Sequence, residues 1–264
     1  MGSSSFRDIL LIHGAWQGSW AWSELIPYLK AKGFRCYSAD MPGNGHNETK
    51  PHEVSMGIYM AYLRGVLDGI GKPVVVIGHS SGGIISSQLA ELNPKNVKGI
   101  LYLAAMMLPS GMRFAELVAE FSKKDKAMLG IIPYLKWSKD GETSQVGRCG
   151  AHKIFYQDCS KEMADAAFTR LTPHPRRGRD ICANLTKKNF GSIPRAYIEA
   201  TEDRSILHKM QRRMQKLVPG ARRYVIKSGH APHLSRPKEL AEIIDQAIND
   251  LNQVGKCLGS VSQS

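Results

Sequence analysis

The pentapeptide Gly78-His79-Ser80-Ser81-Gly82 follows the apolar run Pro73-Val74-Val75-Val76-Ile77 and precedes a helix-like stretch from Gly83 to Leu92. A G-x-S-x-G between a strand and a helix constrains the chain more than any other feature it carries. So tight a turn forces the serine backbone into a sparsely populated conformation. Only small residues two positions to either side leave it room, which is why Gly78 and Gly82 belong there. The turn lifts the Ser80 hydroxyl above the sheet and sets a helix N-terminus beneath it. There, free N–H groups and the helix dipole favour negative charge.

The rest of the chain supplies the sheet this turn requires. Strand-like runs recur at 8–13, 35–40, 73–77, 97–104, 195–200 and 222–227, each ending in turn chemistry. Helical patterns lie between or after them at 20–32, 56–69, 83–92, 206–217 and 237–251. Strand alternating with helix at this spacing predicts an α/β fold, a mostly parallel sheet with helices on both faces. Ligands then bind beyond the carboxyl ends of the strands. The alternation breaks from about Pro109 to Ser192, where Phe114, Leu117, Phe121, Ile131, Trp137, Phe155, Tyr156 and Phe168 are interleaved with basic and polar residues. This interval reads as a helical cap inserted after the strand that ends near Ala104. The expected division is a core of 1–108 and 193–264 with a cap of 109–192. The end from Lys256 to Ser264 is polar and expected to fray.

Composition narrows the setting. A chain of 264 residues, 42% apolar and 22% charged, can bury a large core. It has no run of 18 apolar residues to span a membrane. Its first residues lack the basic, apolar and small-residue order of a secretory signal. Five cysteines (Cys36, Cys149, Cys159, Cys182 and Cys257) without C-x-x-C spacing fit free thiols, and a cytoplasmic setting is expected. The formal charge of +13 gathers in 170–188 and 209–227. No nucleic-acid-binding signature accompanies it, so a solvated basic surface is expected rather than a nucleic-acid or membrane partner. A homodimer is compatible with the chain.

A serine hydroxyl becomes a nucleophile when a base takes its proton and a carboxylate orients that base. On such a sheet the chain order is serine, acid, histidine. Ser228-Gly229-His230-Ala231-Pro232-His233 follows the last strand and offers two histidines. His230 is preferred over His233 because it comes first, after a glycine that frees the loop to turn back over the sheet. The acid should follow the preceding strand, where Asp203 is preferred over its neighbour Glu202. Asp40, at an earlier strand end, reads as a structural turn residue. Two backbone N–H groups should face the oxyanion: that of Ser81, after the nucleophile, and that of Ala15, in the loop His13-Gly14-Ala15-Trp16. His13 reads as a brace for that loop. Gly14, Trp16 and His79 are expected to border the substrate pocket, with Tyr156 reaching it from the cap. No metal and no cofactor is needed.

With these residues placed, the chain resembles the α/β-hydrolase superfamily over nearly its whole length. More narrowly it resembles the branch of plant methylesterases, hydroxynitrile lyases and bacterial carboxylesterases, pyrethroid-hydrolysing ones included. The resemblance rests on Leu11 to Trp22, Gly78 to Gly83, Phe155 to Ser160, Tyr197 to Asp203, and His230 with Pro237. Lyases of this branch resemble one another in a threonine where Gly14 stands and a lysine directly after the catalytic histidine, where Ala231 stands. The resemblance therefore implies a serine carboxylesterase acting on a small to medium, largely apolar ester through Ser80, His230 and Asp203. Lactonase or hydroxynitrile-lyase activity on the same scaffold, or a ligand receptor that retains the triad, are the alternatives.

Overall fold

The computed structural model describes residues 7–261, with side chains through residue 253. Nine strands occur in chain order: β1 (Asp8–Ile12), β2 (Arg35–Ser38), β3 (Val74–His79), β4 (Val97–Leu103), β5 (Leu135–Trp137), β6 (Thr143–Val146), β7 (His174–Pro175), β8 (Arg195–Ala200) and β9 (Ala221–Ile226). Six form one sheet in the order β2-β1-β3-β4-β8-β9, with every neighbouring pair parallel. A parallel sheet is buried on both faces, and alternate residues of each strand feed two separate cores. Leu10, Ile12, Val74, Val76, Tyr102 and Tyr197 join one core. Ile9, Leu11, Val75, Ile77, Leu101 and Ile198 join the other.

Helices α1 (Ile26–Ala31), α2 (Met56–Ile70) and α3 (Gly82–Leu92) connect the first four strands, and the helices His208–Leu217 and Pro237–Val261 cover the later ones. The helix expected over 20–32 is two pieces, a 3-10 turn at Ser19–Trp22 and then α1. Pro27 is the reason: a proline fits the first turn of a helix but breaks its interior. The last helix runs past Leu251 to Val261. Cys257 and the fraying expected from Lys256 fall among residues whose side chains lie outside the described set. Cys36, Cys149, Cys159 and Cys182 are free thiols. Among the described residues, no helix is long and apolar enough to cross a membrane.

The segment between β4 and β8 holds helices α4 (Phe114–Ser122) and Lys161–Thr169, a π-helical turn at Ala151–Phe155, and a small antiparallel sheet, β5-β6-β7. That small sheet is a departure from a wholly helical cap. Its strands are two to four residues long, too short for a period-2 pattern to register in sequence. Its hairpin turns at Gly141, whose φ of 71° is reached readily without a side chain. The far end of the segment is tied back to α3. The buried Glu91 carboxylate accepts the backbone N–H groups of Thr186 and Phe190.

The sheet's order places the site. The chain starts at β1, adds β2 on one side, and then crosses to β3 on the other. The carboxyl ends of β1 and β3 flank that reversal, where an open α/β sheet leaves a crevice. Ser80 follows β3 there, and the loop from His13 follows β1.

Candidate active site

Ser80 sits at the junction of β3 and α3 with φ of 53°, one of three non-glycine residues with positive φ among those described. The steric case for the flanking glycines can be read as distances. A Cβ on Gly78 would lie 2.7 Å from the Gly82 carbonyl oxygen and closer still to Ser86 Oγ. One on Gly82 would lie 2.5 Å from the Ile12 carbonyl oxygen. Both glycines are therefore closed to side chains. The turn is pinned by the Ser80 carbonyl, which accepts from Met106 N–H at 2.9 Å and Gly83 N–H at 3.1 Å.

His230 and Asp203 meet across the ends of β8 and β9. The His230 Nδ1–H donates to Asp203 Oδ2 at 2.8 Å, and both residues are more than nine-tenths buried. Asp203 is itself fixed. Its Oδ1 accepts the N–H groups of Ser205 at 2.7 Å and Ile206 at 3.0 Å, and its Oδ2 also accepts from Gln211 Nε2 at 3.3 Å. A carboxylate so held orients the imidazole with its unprotonated Nε2 turned away. Neither alternative is placed for the task. Glu202 is exposed and lies 3.9 Å from Lys227. His233 is fully buried with no hydrogen-bond partner on either ring nitrogen, and burial pushes its pKa down to about 3. Among the described residues, no hydrogen bond joins Ser80 to His230. Such bonds are commonly long without substrate and tighten when it binds.

The loop after β1 is strained in its turn: Trp16 has φ of 63°. Its indole Nε1–H donates to the Ser144 carbonyl at 3.0 Å, so β6 holds the ring in place. His13 braces the loop. Met41 N–H donates to its Nε2 at 3.0 Å, and its Nδ1–H donates to the Gly14 carbonyl at 2.8 Å. Burial lowers its pKa and keeps it neutral. Asp40 is a turn brace, accepting the N–H groups of Ser19 and His46. Among the described residues, neither the Ala15 nor the Ser81 N–H has a protein acceptor. Both residues line the same cavity as Ser80, a space of about 470 Å³ walled by Ile84, Met106, Val118, Leu129 and Ile131.

Of the residues expected at the pocket, Trp16 lines it and Gly14, His79 and Tyr156 do not. His79 is a buried strut behind the site. Its Nε2–H donates to the His230 carbonyl at 2.8 Å, and its Nδ1 lies 3.1 Å from the Gln17 amide. Burial, with His233 and His230 beside it, holds its pKa well below the ordinary range. Tyr156 is 1% exposed and belongs to the cluster beneath the cap. Gly14 stands against Ser80: a Cβ there would be 2.8 Å from Ser80 Cβ and 3.4 Å from its Oγ.

The alpha/beta hydrolase family model matches residues 9–243. The chain belongs to this family. Among its relatives, Esterase PIR7B of Oryza sativa subsp. japonica is 27% identical over 270 residues, covering 94% of this chain and 98% of that one. The pyrethroid hydrolase of Sphingobium wenxiniae is 30% identical over 254 residues, covering 90% and 86%. The crystal structure of a pyrethroid hydrolase from Sphingobium faniae superposes with a TM-score of 0.82 at 25% identity, covering 92% of this chain and 98% of that one. Relatives so named bear out the expectation of a carboxylic ester hydrolase at that level.

Several residues of this hydrolase's site carry no sequence signal. Gln211, on the helix His208–Leu217, donates to Asp203 and is itself locked by the backbone of Ala200. The segment Phe155 to Asp158 touches both loops that bear Asp203 and His230. Phe155 stacks on the His230 ring at 5.4 Å, and Gln157 Nε2–H donates to the Glu202 carbonyl at 2.9 Å. Asp158 Oδ2 accepts from Gly229 N–H and Ser235 Oγ, on either side of His230. A Cβ on Gly229 would come 2.5 Å from Asp158 Oδ1, so that glycine permits the contact.

Proposed function

We propose that the chain is a serine carboxylesterase acting on a small to medium, largely apolar ester. Ser80 serves as nucleophile, His230 as base and Asp203 as its orienting acid. The observation that carries the reading is a combination of three features, two of them at one cavity and the other, the hydrogen bond, on the loops after β8 and β9. These are a strained Ser80, an Asp203–His230 hydrogen bond of 2.8 Å, and two backbone N–H groups without protein acceptors. His230 removes the Ser80 proton as the hydroxyl attacks the ester carbonyl, and Asp203 stabilises the imidazolium. The oxyanion is received by Ala15 and Ser81 N–H, donors each worth about 2.7–4 kcal/mol of barrier in such sites. The imidazolium protonates the departing alkoxide, and a water activated by the same ring releases the acid from the acyl-enzyme. A lactone is an internal ester and would follow the same steps.

The test is a turnover screen of the wild type beside Ser80→Ala. The panel holds p-nitrophenyl esters of increasing acyl length, aromatic methyl esters, lactones, a pyrethroid and mandelonitrile. Turnover of an ester class that disappears in Ser80→Ala is the expected result. Undiminished hydrolysis by Ser80→Ala would overturn the serine mechanism, and benzaldehyde release from mandelonitrile would overturn the reading of Gly14 and Ala231.

A further inference from the structure

The basic stretch 170–188 is not all solvated surface. One short helical turn, Arg176–Arg179, delivers two of its arginines to the cavity that contains Ser80. Gly178 sets their direction. A Cβ there would lie 2.6 Å from Tyr59 Oη and 3.0 Å from His174 Nε2, so the turn packs its glycine inward against these rings. Arg176 and Arg179, three residues apart on one helical face, then project together. Both guanidiniums converge on one indole: the Cζ of Arg176 and that of Arg179 each lie 5.5 Å from the Trp137 ring. Arg179 also lies over Trp16, at 5.7 Å.

Two like charges brought to one ring repel unless something balances them. Asp180 is the one carboxylate lining the cavity, and among the described residues it makes no ion pair with either arginine. Nor does Arg179 have a hydrogen-bond acceptor among them, so its five donors are unspent. Burial depresses its pKa, the nearby Asp180 charge offsets part of that, and Arg176 lowers it further, so the cation is held partly out of water and incompletely balanced. Its location ties it to the chemistry. Trp16 follows Ala15 directly, and its ring contacts Phe155, which stacks on His230.

We propose that this hydrolase takes an ester whose apolar body carries one carboxylate remote from the scissile bond, and that Arg179, backed by Arg176, receives it. The inference rests on the ester-hydrolase reading of the same cavity. A carboxylate suits the site better than a phosphate dianion, because two guanidiniums beside the Asp180 carboxylate leave a single positive charge for the ligand to neutralise. A planar carboxylate also matches the guanidinium fork. The walls of Ile84, Met106, Val118 and Leu129 accept the apolar body between the two ends. The chain's net charge of +13 would draw such an anion toward the mouth. Arg179 is thus a specificity-determining residue, and the substrate class is a monoester of a dicarboxylic acid.

The experiment compares mono-4-nitrophenyl glutarate with its neutral methyl ester, which has the same acyl length and the same leaving group. kcat/KM is measured for the wild type, Ser80→Ala, Arg179→Gln and Arg179→Lys, at about 50 mM and about 500 mM salt. The wild type should prefer the anionic ester, and the preference should shrink at high salt. In Arg179→Gln the anionic-to-neutral ratio should fall about tenfold or more, chiefly through KM, while Arg179→Lys keeps part of it. A wild-type ratio at or below one overturns the proposal even if the variants fail to fold, as does a ratio that Arg179→Gln leaves in place. If neither ester shows turnover that depends on Ser80, the ester-hydrolase reading itself is overturned.

Discussion

Replacing Asp203 with asparagine tests the proposed machinery at its most constrained point. The carboxylate accepts four hydrogen bonds: Ser205 N–H and Ile206 N–H on Oδ1, and His230 Nδ1 and Gln211 Nε2 on Oδ2. Asparagine has a single acceptor oxygen. The two backbone donors cannot turn, so that oxygen must face them, and the NH2 must face His230 and Gln211. Gln211 cannot reverse its amide either, because its Oε1 accepts Ala200 N–H and its Nε2 donates to the carbonyls of Ala200 and Ile206. Only the imidazole can yield. It must carry its proton on Nε2 so that Nδ1 can accept, and Nε2 is the atom that should take the serine proton. The loss in kcat/KM on p-nitrophenyl acetate should approach about 10⁴-fold, or about 5 kcal/mol, with KM little changed. The donor–donor contact with Gln211 should separately cost about 1–3 kcal/mol of stability. That lowers Tm by about 2–4 °C per kcal/mol in a chain of this size. Glu202→Gln, at an exposed carboxylate, is the control and should stay within about twofold. An Asp203→Asn enzyme within about tenfold of the wild type would refute the assignment of acid and base.

Gly82→Ala places a Cβ 2.5 Å from the Ile12 carbonyl oxygen and 2.9 Å from that of His13, both backbone atoms with no rotamer to escape into. The cost should be at least about 2 kcal/mol, seen as a Tm lower by about 4–8 °C, and an unchanged Tm would contradict the packing of α3 under β1. The buried histidines predict the acid side of the stability profile. Burial pushes His174 and His233 down to about 3, so below pH about 6.5 the unfolded chain binds protons that the folded one refuses. Stability should be complete above that pH and fall toward pH 4, by at most about 1.4 kcal/mol per unit for each residue. His233→Leu should flatten the profile in denaturant titrations at pH 7 and 5, and parallel profiles would refute the role of His233.

The strained serine turn was legible because its requirement is local. Two glycines at fixed offsets between a strand and a helix leave little else for Ser80 to be, and the distances around Gly78 and Gly82 show why. The pairing of Asp203 with His230 was legible through chain order, since strands β8 and β9 are adjacent and their ends lie side by side. His79 and Tyr156 were harder to place. Nothing in a sequence says on which side of a loop a ring will stand, and both stand behind the site. Gln211 left no trace at all, and the segment from Phe155 showed only in the resemblance, because their roles are contacts between elements distant along the chain.

Local sterics and periodicity, both properties of the chain itself, therefore determined the parallel sheet, the strained serine, and the order in which acid and base follow it. Those features depend on what a few adjacent residues can do with their own backbone. Tertiary packing alone decided which side chains hold the Asp203 carboxylate, which amides kept their donors free, and which arginines of a basic stretch turned inward. The physical reason is that these outcomes depend on close approach between segments far apart in the chain. Gly178 against Tyr59 and Gly229 against Asp158 are such approaches, and an ångström of spacing between them separates a site from a surface.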